Sequence, residues 1–471
     1  MKRLITVLIA MAMLLGLMSA AVAEEPAFDL KGNTVKVRLW DSPNPYDEAT
    51  DEVQKAEWLP RYEAIKQKYN VNFEFYTSPS EYDDMPAEWI QSVTAGAPVW
   101  HITNNLSVMW LPNLVRNNAL SDISAPLADI VMPEVFKDIG KFGDGGYGYI
   151  TGFPGPEPLV FNRKMILDAG MAKDPAEMFM EGKWSYDDAY AYLTELQSKL
   201  PEGDYAFFID PMYWGLYAPP ANGGALAIRQ DYSVGVADDT FIESIEFLKK
   251  LVDAGVVRPA NVTEDGKKDY WGTPAATFDV GVEVAMTHRA LWQMGTLNSN
   301  NLDWGIVPYP WGSGVSFGTP GDIETIEGYH SMYYDAGITG SVLAGVEADF
   351  PGLEKDYVIA ALTNLTYDLF FTEEAQADIA AMAAPDYEPE MQLDPFPSME
   401  DAECYQWMRE RIIFNPIATM QNAGLGKSYG GETTLYGLLR KPFEDNLPVR
   451  STMEAAAPEI ESSLRDAGIL K

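Results

Sequence analysis

The chain has 471 residues, of which 47% are apolar and 22% are charged. This composition excludes disorder over most of the chain, and the length predicts two or three domains rather than a single core. The formal net charge is −37, with 33 Lys and Arg against 70 Asp and Glu. Because such a surface repels phosphate backbones and anionic lipids, we expect no nucleic-acid partner and interpret the acidic residues as a solubilising surface.

The first 23 residues have the pattern of a signal peptide. Lys2 and Arg3 precede an apolar stretch over residues 4–20, and Ala21-Val22-Ala23 then supplies a small-x-small cleavage site. The alternative is a membrane anchor, which needs a longer apolar run. We therefore expect export to the periplasm or the extracellular cell surface. The single cysteine, Cys404, lies far from the cleavage site, so we expect neither a lipid-bearing cysteine there nor an internal disulfide.

Strand-like and helix-like segments alternate along the rest of the chain, which predicts an α/β architecture. In chain order the predicted elements are a strand at 34–40, a helix at 54–69, a strand at 71–76, a helix at 89–95, extended segments at 147–150 and 158–162, and helices at 164–169, 186–200, 241–254, 357–371, 373–382 and 454–467. Pro60 is expected to start or bend the first helix. Ser185 is expected to cap the helix that follows it, because Asp187 and Asp188 favour a helix N-terminus.

Signatures of catalysis and of metal binding are weak. The three histidines, His101, His288 and His330, are not at metal-ligand spacing. We therefore predict no metal site, no cofactor and no histidine-based triad, and interpret each histidine as a hydrogen-bonded structural residue. The segment Gly314–Gly318 matches the G-x-S-x-G nucleophile motif in letters, but the prolines and glycines around it indicate a loop. Carboxylate pairs are abundant, so composition alone leaves a glycoside hydrolase open.

Aromatic residues are numerous, with 12 Trp, 25 Tyr and 20 Phe. Several of them adjoin Gly, Pro, Asn or Asp, where loops are expected. An aromatic plane stacks on the apolar face of a sugar ring, while neighbouring carboxylates and amides bind its hydroxyl groups. Plain core packing is the alternative explanation for these residues. The segments concerned are Trp40-Asp41, Tyr213-Trp214, Trp271-Gly272, Trp292, Tyr309 to Trp311 and Tyr333 to Asp335.

Seven short segments occur in an order and spacing that resemble one protein family, the extracellular solute-binding proteins of carbohydrate ABC importers, in the maltodextrin-binding type. The most specific pair is Ala285–Trp292 followed by Asp303–Pro310, which is similar to the family's "AMT…W…GV.P.P" signature. The other segments are Val37–Asp41, Gly96–Pro98, Val160–Gly170, Trp184–Asp187 and Asn222–Gly224. The resemblance spans nearly all of the chain after the signal peptide.

The resemblance implies the two-lobed periplasmic-binding-protein fold, an α/β fold in which each lobe is a sheet flanked by helices and hinge strands join the lobes. Each lobe is then discontinuous in sequence. The N-terminal lobe is expected to comprise residues 24–152 and 312–385, and the C-terminal lobe residues 153–311 and 386–471.

The resemblance also implies ligand-binding residues. Trp292 matches a stacking tryptophan, Asp210 and Tyr213 resemble an acidic-Pro-x-aromatic ligand segment, and Glu157 lies near another acidic ligand. The chain departs from the family at Val99-Trp100, where an acidic residue is usual, and the last stacking aromatic is either Tyr429 or Tyr436. The full predicted set is Trp40, Asp41, Asn104, Glu157, Asp210, Tyr213, Trp214, Asn222, Arg289, Trp292, Trp311, Tyr334 and Tyr436.

The function implied by the resemblance is capture of an oligosaccharide outside the cell and its delivery to the permease subunits of an ABC importer. We expect a monomer that makes and breaks no covalent bond. The alternative is an exported carbohydrate-active enzyme of the glycoside hydrolase class, which would need a pair of catalytic carboxylates and measurable turnover.

The signal-peptide interpretation predicts the first residue of the exported protein. Cleavage after Ala23 should leave Glu24 at the N-terminus, because Ala21-Val22-Ala23 is the small-x-small site that directly follows the apolar run. N-terminal sequencing of the protein from its native host checks this, and protein that still begins at Met1 would contradict it.

Overall fold

The computed structural model describes residues 28–40, 44–82, 84–229, 231–264, 266–333, 337–388, 391, 393–414, 435–466 and 470. The predicted signal peptide and three predicted or alternative site residues, Asp41, Tyr334 and Tyr429, lie outside the described residues. Within the described ranges, no helix combines the length and the apolar character needed to cross a membrane.

Short strands form several small sheets. In chain order the strands are β1 (Thr34–Arg38), β2 (Asn72–Tyr76), β3 (Ile102–Thr103), β4 (Leu106–Ser107), β5 (Lys141–Phe142), β6 (Gly145–Gly146), β7 (Leu159–Asn162), β8 (Asn261–Val262), β9 (Lys268–Asp269), β10 (Met286–His288), β11 (Trp304–Val307), β12 (Ser316–Phe317), β13 (Ile326–Glu327), β14 (Ser331–Tyr333), β15 (Gly337–Ile338) and β16 (Ile412–Phe414).

Helices cover these sheets. In chain order they are α1 (Glu52–Tyr69), α2 (Met85–Thr94), α3 (Leu111–Arg116), α4 (Ser124–Ala128), α5 (Glu134–Asp138), α6 (Arg163–Asp168), α7 (Pro175–Met180), α8 (Tyr186–Lys199), α9 (Pro211–Tyr217), α10 (Asp239–Asp253), α11 (Gly272–Ala276), α12 (Leu291–Ser299), α13 (Lys355–Phe370), α14 (Glu373–Ala381), α15 (Met399–Arg409), α16 (Leu435–Glu444) and α17 (Val449–Asp466). Single 3₁₀ turns occupy Val108–Trp110, Phe278–Val280, Ile323–Thr325 and Val346–Asp349.

The predicted elements are confirmed in type, and their ends shift by a few residues. The first strand ends at Arg38 and the first helix begins at Glu52, with the side chain of Asp51 accepting hydrogen bonds from the backbone of Val53 and Gln54. Pro60 lies inside this helix. Ser185 caps α8 through a reciprocal pair of hydrogen bonds with Asp188, as its sequence predicts.

The first hydrophobic core surrounds a parallel sheet with strand order β2-β1-β3. Alternation along β1 explains its central place, because Val35 and Val37 are fully buried. Helices α1 and α13 pack against each other beside this sheet. The core draws its side chains from Leu30 to Ile150 and again from Ile338 to Ile379.

The second hydrophobic core surrounds an antiparallel sheet with strand order β10-β7-β11. All four residues of β7 are buried, as expected for a central strand covered on both faces. Apart from Met109, this core draws its side chains from Leu159 to Met332 and from Phe396 to Leu464.

The chain passes between the two cores three times, so each lobe is built from separate stretches of sequence. The passages lie between Ile150 and Leu159, between Met332 and Ile338, and between Ile379 and Phe396. Strand β14 pairs with β16 in the second lobe, while β15 pairs with β4 in the first. Residues 312–332 therefore pack with the second core, and the middle passage lies after the predicted boundary at 311/312.

One buried histidine stabilises the first core in its neutral form. His101 accepts a hydrogen bond at Nδ1 from the backbone N–H of Lys36, at 3.2 Å, and its Nε2 lies 2.9 Å from Asp349 Oδ2. Burial lowers the pKa of His101 from 6.5 to about 4, although the hydrogen bond to Asp349 acts in the opposite direction. The structural interpretation of this histidine is confirmed.

This pKa shift predicts acid-sensitive folding. Between about pH 4 and 6.5 the unfolded chain binds a proton at residue 101 that the folded protein does not. The contribution of His101 is therefore complete above pH 6.5 and is lost as the pH falls to about 4, with an upper limit of about 3 kcal/mol. Urea unfolding of the wild type and of His101→Gln is measured at several pH values. As the pH falls, the free energy of unfolding should decrease less for the variant than for the wild type. Equal decreases would contradict the proton linkage.

Candidate functional site

A cavity of about 960 Å³ lies between the two lobes. Both lobes contribute side chains to its wall, and aromatic rings alternate there with charged and amide groups. The first lobe contributes Arg38, Trp40, Tyr82, Asn105, Ser107, Trp110 and Gly337. The second lobe contributes Glu157, Asp210, Met212, Tyr213, Lys268, Asp269, Tyr270, Trp271, Ala290, Trp292, Gln293 and Arg440. We refer to this cavity as the interlobe cleft.

On the first lobe, the carboxyl ends of parallel strands supply the wall. Arg38 ends β1, and Asn105 follows β3 by two residues. The guanidinium of Arg38 donates hydrogen bonds to the Asn105 carbonyl at 2.7 Å and to Thr103 Oγ1 at 3.2 Å. It also lies 5.2 Å from the ring centre of Trp40, within the range of a cation–π contact. This buried cation therefore fixes both the strand ends and an aromatic ring.

Trp40 is further fixed by a side chain behind it. Asn104 accepts a hydrogen bond from the Trp40 backbone N–H at 2.8 Å and donates one to the Trp40 carbonyl at 3.2 Å. The Trp40 ring packs edge-on against Tyr82, with ring centres 5.6 Å apart, and Tyr82 in turn packs on Trp110 at 4.5 Å. These three rings form one aromatic wall of the cleft.

On the second lobe, an ion pair joins two helices at the cleft. Asp210 precedes α9, and its Oδ1 accepts hydrogen bonds from the Met212 backbone N–H and from Arg440 Nε, each at 2.9 Å. Its Oδ2 accepts a further bond from Arg440 Nη2. The guanidinium of Arg440 also lies 4.8 Å from the ring centre of Tyr270. The pair is a bidentate contact between a buried carboxylate and a half-buried guanidinium.

A second carboxylate, Glu157, lies just before β7 and is also buried. Its Oε2 accepts a hydrogen bond from the Tyr217 hydroxyl and lies 3.1 Å from His288 Nε2. Burial and the charge of Glu157 raise the pKa of Tyr217 well above its usual value of 10, so this hydroxyl keeps its proton and donates. The carboxylate is therefore fixed from behind by neighbours of its own lobe.

Two tryptophans at the cleft are largely exposed. Trp271 precedes α11 and is 58% exposed, while Trp292 lies in the first turn of α12 and is 68% exposed. Their rings stack on each other, with centres 5.9 Å apart and planes 27° apart. Large rings that stay exposed to water usually mark a binding surface rather than a packed core.

The structure brings five of the predicted residues together in the cleft wall, namely Trp40, Glu157, Asp210, Tyr213 and Trp292. Three predicted aromatics, Trp214, Trp311 and Tyr436, lie buried in the second core and are not part of the wall. Asp41 and Tyr334 lie outside the described residues.

Three predicted polar residues support the surrounding structure instead of lining the cleft. Asn104 holds the backbone of Trp40, as described above. Asn222 is fully buried and binds Glu243 at 2.8 Å and the N–H of Gly314 at 2.8 Å. Arg289 is buried in an ion pair of 2.8 Å with Asp279. Among the described residues no cluster of three or more His, Cys, Asp or Glu is arranged to hold a metal ion.

Several wall residues were absent from the predicted set. Arg38 could have been identified from the sequence, because it is a charged residue inside an apolar strand pattern, between Val37 and Leu39. Trp271 is one of the loop aromatics noted in the sequence, beside Gly272, although it was not placed in the predicted set, and Tyr270 directly precedes it. Arg440 left no local signal, because the carboxylate that holds it is 230 residues away in sequence.

Comparison with known proteins identifies the architecture. The sequence model described as bacterial extracellular solute-binding protein matches residues 61–333, more than half of the chain. No curated protein matches the chain.

Solved structures share the fold over nearly the whole chain. The GacH receptor of Streptomyces glaucescens, determined unliganded and with acarbose, has a TM-score of 0.59 at 15% identity, covering 92% of this chain and 99% of that one. An ABC substrate-binding protein of Listeria monocytogenes in complex with cycloalternan has a TM-score of 0.61 at 13% identity, covering 92% and 99%. UgpB of Mycobacterium tuberculosis in complex with glycerophosphocholine has a TM-score of 0.59 at 12% identity, covering 92% and 99%. The predicted two-lobed periplasmic-binding-protein fold is confirmed.

Proposed function

This chain belongs to the family of bacterial extracellular solute-binding proteins, and on that premise we propose that it binds an oligosaccharide in the interlobe cleft and delivers it to the permease of an ABC importer. The single observation that carries the proposal is the composition of the cleft wall. Rings of both lobes, including Trp40, Tyr213 and Trp292, border the same space as the polar groups of Glu157 and Asn105. Sugars need both kinds of group, because their rings have apolar faces and hydroxyl edges.

The two-lobed fold supplies a mechanism for capture. A sugar that contacts the first-lobe ring of Trp40 and the second-lobe ring of Trp292 makes both contacts only when the lobes lie close together. Binding therefore favours the closed form, since a ligand shifts an equilibrium by its difference in affinity for the two states. A monomer is sufficient for this mechanism, because one chain supplies both walls.

The arrangement of the carboxylates favours binding over hydrolysis. A glycosidase needs one carboxyl that carries a proton to the leaving group and a second that acts as nucleophile or base. Asp210 accepts hydrogen bonds at both oxygens, two of them from a guanidinium that stays charged. Oxygens occupied in this way are not available to attack a sugar or to activate a water molecule. Of the other carboxylates in this wall, Glu157 accepts from the Tyr217 hydroxyl and Asp269 Oδ1 accepts from the Gly272 N–H at 2.6 Å.

Ligand screening tests the proposal. Thermal unfolding of the protein that begins at residue 24 should be measured with maltotetraose, acarbose, cycloalternan and lacto-N-biose, each at several concentrations. Glycerophosphocholine is included as a ligand that is not a glycan. A ligand at 100 times its Kd stabilises the folded state by about 2.7 kcal/mol, so at least one oligosaccharide should raise the melting temperature. The oligosaccharide should be recovered intact.

Two results would contradict the proposal. Stabilisation by glycerophosphocholine alone would mean that the aromatic wall binds a quaternary ammonium group, to which aromatic rings are also suited. Cleavage of the oligosaccharide at a rate abolished by Glu157→Gln would instead indicate the hydrolase.

Trp292 provides a test of the site itself. Trp292→Ala should weaken oligosaccharide affinity at least tenfold, because loss of an aromatic hot spot typically costs about 2 kcal/mol or more. The melting temperature without ligand should change little, since this side chain is 68% exposed. Calorimetric titration and ligand-free unfolding measure the two effects separately.

The matched control for this substitution is Leu167→Ala, an exposed apolar truncation on α6, outside the cleft wall. It should change neither affinity nor stability. Unchanged affinity in Trp292→Ala would remove this residue from the proposed site, and so would a loss of affinity that only accompanies early melting.

A further inference from the structure

Three polar side chains meet at one edge of the second-lobe sheet. Glu157 lies two residues before β7, His288 ends β10, and Tyr309 lies two residues after β11. His288 and Val307 both pair with Leu159, the first residue of β7. Because β10 and β11 run antiparallel to β7, the ends of both strands lie beside its start. The topology therefore places these three residues side by side, with Glu157 in the cleft wall and the other two behind it.

His288 connects the other two. Its Nε2 lies 3.1 Å from Glu157 Oε2, and its Nδ1 lies 2.9 Å from the Tyr309 hydroxyl. A proton on Nε2 is the partner that suits Glu157 at this ion-pair distance, because an ionised carboxylate accepts hydrogen bonds and cannot donate one. The Tyr309 hydroxyl then donates to Nδ1 and fixes this tautomer. Burial raises the pKa of Tyr309 well above 10, which keeps that donor protonated.

Aromatic rings fix the orientation of the imidazole. The rings of Tyr213 and Tyr217, one turn apart on α9, stack against His288 with centres 4.6 and 4.9 Å away. Tyr217 also donates its hydroxyl to the same Glu157 oxygen that faces His288. The imidazole is buried, whereas Tyr213 and Glu157 line the cleft. His288 therefore lies behind the wall and reaches the cleft only through these neighbours.

The two oxygens of Glu157 differ in their surroundings. Oε2 accepts from the Tyr217 hydroxyl and lies at ion-pair distance from His288 Nε2, while Oε1 has no hydrogen-bond partner among the described residues. A carboxylate oxygen at the wall of a cleft needs a donor, and a sugar hydroxyl supplies one. Asp210, the other buried carboxylate of this wall, has both oxygens bound within the protein.

We propose that His288 is a positioning residue for ligand binding: its Nε2–H holds Glu157 Oε2, which leaves Oε1 aimed at a hydroxyl group of the bound oligosaccharide. This role rests on the proposed function of the cleft. His288 does not touch the ligand, so its contribution to affinity passes through Glu157. That dependence separates it from a residue that only stabilises the core.

A double-mutant cycle tests this dependence. Affinity for maltotetraose, or for the oligosaccharide of the screen that raises the melting temperature most, is measured by calorimetry in the wild type, His288→Leu, Glu157→Gln and the double variant. His288→Leu should weaken binding about tenfold in the wild type, because it removes a donor from a buried charged acceptor. In the Glu157→Gln background the same change should weaken oligosaccharide affinity by less than about twofold.

Two further variants exclude a merely structural effect. His288→Gln should retain affinity within about threefold, because its amide can still donate to Glu157. His101→Leu is the matched control, since His101 is also a buried histidine bound to a carboxylate but lies in the first core, outside the cleft wall. It should lower the melting temperature and leave affinity unchanged.

The outcomes are distinct. Equal losses from His288→Leu in both backgrounds, or wild-type affinity in His288→Leu, would overturn the positioning role while the proposed function stands. Failure of His288→Gln to retain affinity while its melting temperature is normal would also overturn it. Absence of binding by the wild type to every oligosaccharide of the screen would overturn the proposed function, and the positioning role with it.

Discussion

The choice of residues that line the cleft depends on one constraint, which is the position at which each strand begins or ends. In the first lobe the carboxyl ends of β1 and β3 deliver Arg38, Trp40 and Asn105 to the wall. In the second lobe the ends of β10 and β11 and the start of β7 deliver the residues around Glu157. Strand interiors bury their side chains in a core, so groups available to a ligand collect at strand ends and in the turns that follow.

Buried charges fix these turns in place. Arg38 is buried in the first lobe, and Asp210, paired with the half-buried Arg440, is buried in the second. A buried ion costs several kcal/mol of desolvation unless hydrogen bonds compensate it, and here each group binds backbone or side-chain partners on neighbouring segments. The same contacts that offset the desolvation also hold Trp40 and Tyr270 beside their cations. The aromatic walls are thus set in position before any ligand arrives, which reduces the ordering cost of binding.

Local patterns in the sequence predicted most elements, because periodicity and caps act over a few residues. Ser185 and Asp188 show this, since their capping pair lies within one turn. For adjacent aromatic residues, local patterns could not predict which one lines the cleft and which one is buried. Tyr213 lines the cleft while Trp214, its neighbour on α9, is buried and donates to the Ser244 carbonyl at 2.7 Å. Which of two successive helical residues faces the core depends on α10 and α16, whose position no local pattern encodes.

The two buried carboxylates illustrate what sequence reasoning leaves undecided. Glu157 and Asp210 both precede regular elements, both lie near prolines, and both were predicted to bind ligand. Their partners distinguish them. Asp210 caps α9 and pairs with Arg440, so its two oxygens are used within the protein, and its role in the cleft is to hold Arg440 beside Tyr270. Within the part of the chain that the structure describes, Glu157 is contacted at one oxygen only. In the proposed binding site a ligand hydroxyl donates to Glu157, and the residues that hold the other oxygen of this carboxylate determine how well the acceptor is aimed.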